Sequence, residues 1–185
     1  MKKYILIALA AVVLGGGAYV AYSIISSPAQ SPKDKASYTG EGLDIDVVYF
    51  RPFKKGRLIF GDASDKALVP YGQYWRLGAN DATEITFSRD VIFGGQPVAA
   101  GSYRMYAVPG PGTWQVSLNS ELGQFGYMEP NYALDVAKVE VSAEDNAGET
   151  EQFTIRFERT DRGAQMYFVW DKTQVAVPIT IAEEQ

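Results

Sequence analysis

Polar and aromatic side chains crowd into one glycine-punctuated stretch, Tyr71 to Glu84 (YGQYWRLGANDATE), just ahead of a strand-like run. Flat rings stack on a ligand while Arg and Asn side chains orient it. Tyr71, Trp75, Arg76, Asn80 and Asp81 therefore read as contact residues of a binding loop, with Tyr74 and Glu84 beside them. An architectural role for the same residues is equally concrete: Arg76 pairing with a carboxylate, Asn80 closing a turn, Trp75 filling the end of a core. Arg51, Arg57 and Arg76 form a second candidate set, because guanidinium groups grip carboxylate or phosphate in a two-pronged fork. Ion pairing with Asp44, Asp46 or Asp81 is the competing role for these three arginines.

Other chemistries are thinned out by what is missing. The 185 residues include no histidine and no cysteine, which removes imidazole bases, thiolate nucleophiles, disulfides and Cys/His zinc sites. Carboxylate pairs can run glycoside hydrolysis without histidine, and Asp44 with Asp46 or Asp81 with Glu84 are close in sequence. Closeness in sequence supplies neither opposed geometry nor a raised pKa, so these read as solvated strand faces and turns. Asp62 and Asp65 lack the regular loop of oxygen ligands that calcium requires. No GxSxG or SxxK motif offers an activated serine. The expectation is a protein that is not an enzyme and uses no cofactor and no metal. A net charge of -5, from 17 basic and 22 acidic residues, argues against nucleic acid as a partner.

The elements that must position such a loop are strands. Leu43, Ile45, Val47 and Tyr49 alternate with more polar neighbours, as do Ile85 and Phe87, then Trp114, Val116 and Leu118. Ala137, Val139 and Val141 continue the period of two, followed by Phe153, Ile155 and Phe157. That phase places Trp114 in the core and leaves Trp75 as the tryptophan available for stacking. Met166–Trp170 and Val175–Ile181 are apolar on both faces, as central strands are, with Pro178 marking an edge or bulge in the second. Gly94-Gly95 and Pro109–Gly112 read as hairpin turns, and Asp171–Thr173 as a turn between the two apolar runs. Regularly spaced short strands without an amphipathic helix predict an all-β fold, an antiparallel β-sandwich or jelly-roll-like domain.

Ahead of that domain, Tyr4–Ile25 carries no charge over 22 residues, about 33 Å as a helix and enough to cross a hydrocarbon core of about 30 Å. It reads as an N-terminal transmembrane anchor, residues 1–25, with Lys2 and Lys3 holding the N-terminus inside. A cleaved leader ending near Ser27-Pro28-Ala29, and hence secretion, is the alternative; a signal core is usually shorter, about 7 to 15 residues. Residues 26–37, rich in Ser, Pro, Ala and Lys, have linker composition, and the β domain follows over 38–185.

Four segments carry a resemblance that composition alone does not. They are RPFKKGRLIFG at Arg51–Gly61, VPYGQYWRLGANDATEITF at Val69–Phe87, AGSYRMYAVPG at Ala100–Gly110 and WDKTQVAVPI at Trp170–Ile179. Together they resemble the bacterial family known as domain of unknown function 2911, over Ser31 to about Ile181. The resemblance implies a secreted or envelope-exposed β-rich domain and no particular activity. The functional expectation is a membrane-tethered module on the periplasmic side of the cytoplasmic membrane that binds or assembles with an envelope protein. The alternative is a small-molecule or glycan-binding domain that uses the Tyr71–Glu84 loop.

Overall fold

A computed structural model of the protein describes residues 12–17 and 30–182. Of the apolar Tyr4–Ile25 stretch, only residues 12–17 fall in that range, as exposed helical residues; the rest of the anchor reading lies outside the described residues. Among the described residues no helix is long and apolar enough to cross a membrane.

The chain then forms strands almost throughout: β1 (Lys33–Gly40), β2 (Leu43–Phe50), β3 (Phe60–Gly61), β4 (Val69–Pro70), β5 (Thr83–Phe87) and β6 (Val91–Phe93). They are followed by β7 (Gln96–Val98), β8 (Gly101–Val108), β9 (Thr113–Asn119), β10 (Asp135–Thr160) and β11 (Gly163–Ile181). Nine of them make one continuous, unclosed sheet in the order β1-β2-β5-β8-β9-β10-β11-β6-β7, antiparallel at every pairing, and β3 pairs with β4 in parallel. The all-β antiparallel expectation holds.

The alternation works as written in the sequence. Leu43, Ile45, Val47 and Tyr49 of β2, Ile85 and Phe87 of β5, and Trp114, Val116 and Leu118 of β9 all point into one core. At its centre lie Phe60, Trp75, Trp114, Phe153 and Trp170. Phe60 stands 4.8 Å from Trp114 and 5.5 Å from Trp75 between ring centroids, and Trp75 stacks on Trp170 at 5.9 Å. Gly94 and Gly95 both take positive φ, 54° and 91°, as the tight β6–β7 hairpin demands of both its central residues.

Three expectations need correcting. Asp171–Thr173 is not a turn: the runs on either side belong to the single strand β11, and 137–141 and 153–157 likewise both belong to β10. The break in pattern is a bulge. The β10–β11 register shifts between Asp145 and Thr154, and Asp171 opposite Thr150 takes φ 55°. Lys54 pins the irregularity, with Nζ 2.7 Å from Asp171 and 2.9 Å from Glu149. Finally, the segment read as linker to residue 37 is already paired from Lys33 on, opposite Phe50–Asp46 of β2. Its polar composition is that of an edge strand rather than a tether: Lys33, Asp34 and Lys35 are all exposed. Pro178 fits its expected place, exposed at the point where β11 leaves β10 for β6, its carbonyl accepting from the Gly94 N–H.

Side chains lace the remaining strand edges. The Tyr49 hydroxyl accepts from the Ile155 N–H at 3.0 Å, and the Tyr38 hydroxyl donates to the Gly163 carbonyl at 2.7 Å. The Gln96 amide donates to the Lys138 carbonyl and accepts from the Lys138 N–H, occupying the side of β10 that β9 leaves vacant. Trp114, fully enclosed by this arrangement, tests the core: Trp114→Ala should lower the unfolding free energy by about 3–5 kcal/mol in urea titration, and a loss under about 1 kcal/mol would contradict the packing described.

Candidate functional site

The 71–82 loop leaves β4 and is tied at once to the sheet. Gly72 donates its N–H to the Pro109 carbonyl, and Trp75 exchanges both backbone hydrogen bonds with Ala107 of β8 at 2.8 Å each. That pairing sends the Trp75 ring into the core, where it is 6% exposed, with Nε1 donating to the Gly78 carbonyl at 3.3 Å. Trp75 is thus a core residue and not the stacking platform its neighbours suggested. Gly78 takes φ 150° and a Cβ there would stand 2.6 Å from the Phe50 carbonyl oxygen, so only glycine lets the loop lie this close to β2.

A second loop, between β9 and β10, folds over the first. Gly126 donates its N–H to the Asn80 carbonyl at 3.0 Å, and its own carbonyl accepts from the Tyr74 hydroxyl at 2.9 Å. A Cβ on Gly126 would meet Arg76 Cδ at 2.5 Å, so the missing side chain is what lets this loop seat against Arg76. With the turn at 52–57 these two loops border an open cavity of about 640 Å³. Arg57, Tyr74, Trp75, Arg76, Tyr127 and Glu129 are on its walls, and Gln30 and Ser31 also border it. The volume is that of a small-molecule site.

Arg76 is half-buried, with its guanidinium 6.0 Å from the centre of the Phe125 ring. Among the described residues no carboxylate lies within ion-pair distance of it. Burial pulls its pKa below the ordinary arginine value, opposed in part by the nearby Tyr74 and Tyr127 hydroxyls. Arg57 lies at the rim and folds onto its own turn, with Nε donating to the Lys54 carbonyl at 2.9 Å and Nη2 to the Phe53 carbonyl. Lys55 borders the same cavity and is exposed. Glu129, the one acidic wall residue among the described residues, accepts from the Tyr132 hydroxyl at 2.6 Å.

The other expected site residues lie elsewhere. Arg51 is a structural clamp: its guanidinium bonds the Phe153 carbonyl at 3.1 Å, Thr154 Oγ1 at 2.8 Å and Asp34 at 2.9 Å, tying β1 and β2 to β10. Tyr71 packs on the core, and Asn80, at φ 56°, works through its backbone to hold Gly126. Asp81 and Glu84 border a separate hollow of about 370 Å³ with Lys33 and Phe125. Among the described residues no three acidic side chains gather where they could hold a metal ion.

One buried group escaped the sequence reading. Arg104 on β8 is 1% exposed and faces away from the apolar core, beneath the β9–β10 loop. Its Nη2 donates to the Tyr74 hydroxyl at 2.6 Å and to the Met128 carbonyl, and Nη1 stands 3.7 Å from Glu121. Its Nε and Nη1 have no hydrogen-bond partner among the described residues. Beside it Tyr106 donates to Asp135 at 2.7 Å, and Asn119 donates to both Asp135 and the Asn131 carbonyl. The signal was present in YRMYAV, where Arg104 and Tyr106 alternate with Met105 and Ala107: the strand is covered on both faces, one of them polar. Burial raises the pKa of Tyr74, with Arg104 pulling the other way, and burial likewise raises that of Tyr106.

Residues 31–179 match the model of a family described as a protein of unknown function, DUF2911. No curated protein and no solved structure matches.

The two arginines separate in a stability test. Arg104→Met leaves the Met128 carbonyl without its donor, removes one of the two hydrogen bonds of the Tyr74 hydroxyl, and should cost about 1–3 kcal/mol. Arg76→Met removes a desolvated charge with no acidic partner and should change stability by no more than about 0.5 kcal/mol, or raise it. Equal losses for the two would show that Arg76 is a structural residue like its neighbour.

Proposed function

We propose, given that the chain belongs to the DUF2911 family, that it is a non-enzymatic binding module tethered at the outer face of a cytoplasmic membrane by Tyr4–Ile25. The cavity beside Arg76 is its working site and receives a ligand through an anionic group. One observation carries this reading: Arg76 is a half-buried cation on a cavity wall with no acidic partner among the described residues. A guanidinium kept partly out of water without a carboxylate is unfavourable unless something else uses it. Lys55 and Arg57 at the rim reinforce the sign of the site. The aromatic side of a glycan site finds less support, since Trp75 is enclosed.

A second reading, docking of an envelope protein, is favoured by the β9–β10 loop, which leaves Phe125, Met128 and Leu122 exposed and Tyr127 77% exposed. Exposed apolar groups gathered on one loop mark interaction surfaces.

Inorganic phosphate titrated into the detergent-solubilised full chain should raise its melting temperature, and Arg76→Gln should lose that rise. Absence of the rise in the wild type, or an equal rise in both proteins, removes the anion site. Intact mass of protein taken from its own membranes should correspond to the uncleaved chain of 20.3 kDa. A product beginning near residue 28 would refute the tether.

A further inference from the structure

The cavity has an address as well as a charge. Gln30 and Ser31 border it, and only five residues lead from Ile25, the end of the apolar stretch, to Gln30. Fully extended, that chain reaches no more than roughly 18 Å. Under the tether reading, on which this inference rests, every pose of the domain keeps the Gln30 border of the cavity within that distance of the end of the span.

The groups around the cavity suit a bilayer surface. Arg76, Arg57 and Lys55 supply positive charge against Glu129, the single carboxylate that the described residues place there, in a chain whose overall charge is -5. Tyr127, on the cavity wall, is the most exposed of the large hydrophobic side chains of the β9–β10 loop, with Phe125 and Met128 beside it. Aromatic rings with one polar end settle at the level of lipid headgroups. A site held at a membrane also meets lipid headgroups at an effective concentration that a dilute soluble anion does not reach.

We infer that the Arg76 cavity takes the phosphate of an anionic phospholipid headgroup from the bilayer that holds the protein, with Tyr127 and Phe125 resting in the interface. Arg76 provides the fork that grips the phosphate oxygens, Lys55 and Arg57 steer the headgroup from the rim, and the seating of Gly126 keeps the two loops together around it. The site distinguishes an accessible phosphate, as in phosphatidylglycerol, from one shielded by its own choline.

The test uses the full chain in nanodiscs of phosphatidylcholine alone or with one part in three of phosphatidylglycerol, read by hydrogen exchange of the 71–79 and 122–129 loops. Exchange in both loops should slow at least about five-fold in the phosphatidylglycerol discs, and Arg76→Gln should abolish the difference while Arg76→Lys restores part of it. Identical exchange in the two kinds of disc overturns the inference. Slowing produced by millimolar glycerol 3-phosphate in phosphatidylcholine discs, without slowing by phosphatidylglycerol, keeps the anion site and overturns its lipid source. Slowing by neither overturns the anion site as well. Slowing that requires added membrane extract, and that no lipid disc gives, assigns the loop to a protein partner and overturns the inference. A chain that fails to co-elute with the discs refutes the tether and the inference together.

Discussion

Trp75 and Arg76 are adjacent residues with opposite obligations, and the rest of the site depends on both being met. The Trp75–Ala107 backbone pair fixes the chain against β8, and the indole is then locked among Phe60, Trp114, Phe153 and Trp170. Since neighbouring residues of an extended chain point to opposite sides, burying the tryptophan turns the arginine outward into the cavity. A large aromatic ring in a dense core tolerates little displacement, so the backbone that carries Arg76 is anchored by the core although it belongs to a loop.

The loop that covers the site is positioned by different physics. Beneath it lies a polar layer, in which Arg104, Tyr74, Tyr106, Asn119 and Asp135 satisfy one another and the loop backbone. Such a layer constrains geometry more than it adds net stability, because each buried polar group must find its partner or be penalised. Arg104 is imperfectly served, with two of its nitrogens lacking acceptors among the described residues. Two arginines within one small region therefore do opposite things: Arg104 organises a lid from below, whereas Arg76 faces open space.

Much of the fold was legible because a half-buried strand writes its period of two directly into the sequence. That pattern located β2, β5 and β9 and put Trp114 in the core. It failed where long-range pairing overrides local signals. Asp171–Thr173 looks like a turn, yet β10 and β11 resume their pairing on either side of a register shift at Asp145–Thr154, which the Lys54 ion pairs to Asp171 and Glu149 hold in place. Of the candidate cavity, the sequence marked the 71–84 loop and Arg76, both of which line it. Arg51 carries the same side chain as Arg76 and sits in an equally distinctive motif; only the approach of Phe153 and Thr154, about a hundred residues away in sequence, assigns it to architecture. Partnership across such separations is not written in spacing.

An unclosed sheet has two ends, and both are dressed against company. At one, β1 presents Lys33, Asp34 and Lys35 to solvent; at the other, β7 is three residues long and contains Pro97, which offers no N–H. The Gln96 amide goes further and imitates one peptide unit of an absent strand against Lys138. Charge at one margin and a proline at the other work against the edge-to-edge stacking of copies that a bare, uncharged sheet margin would template.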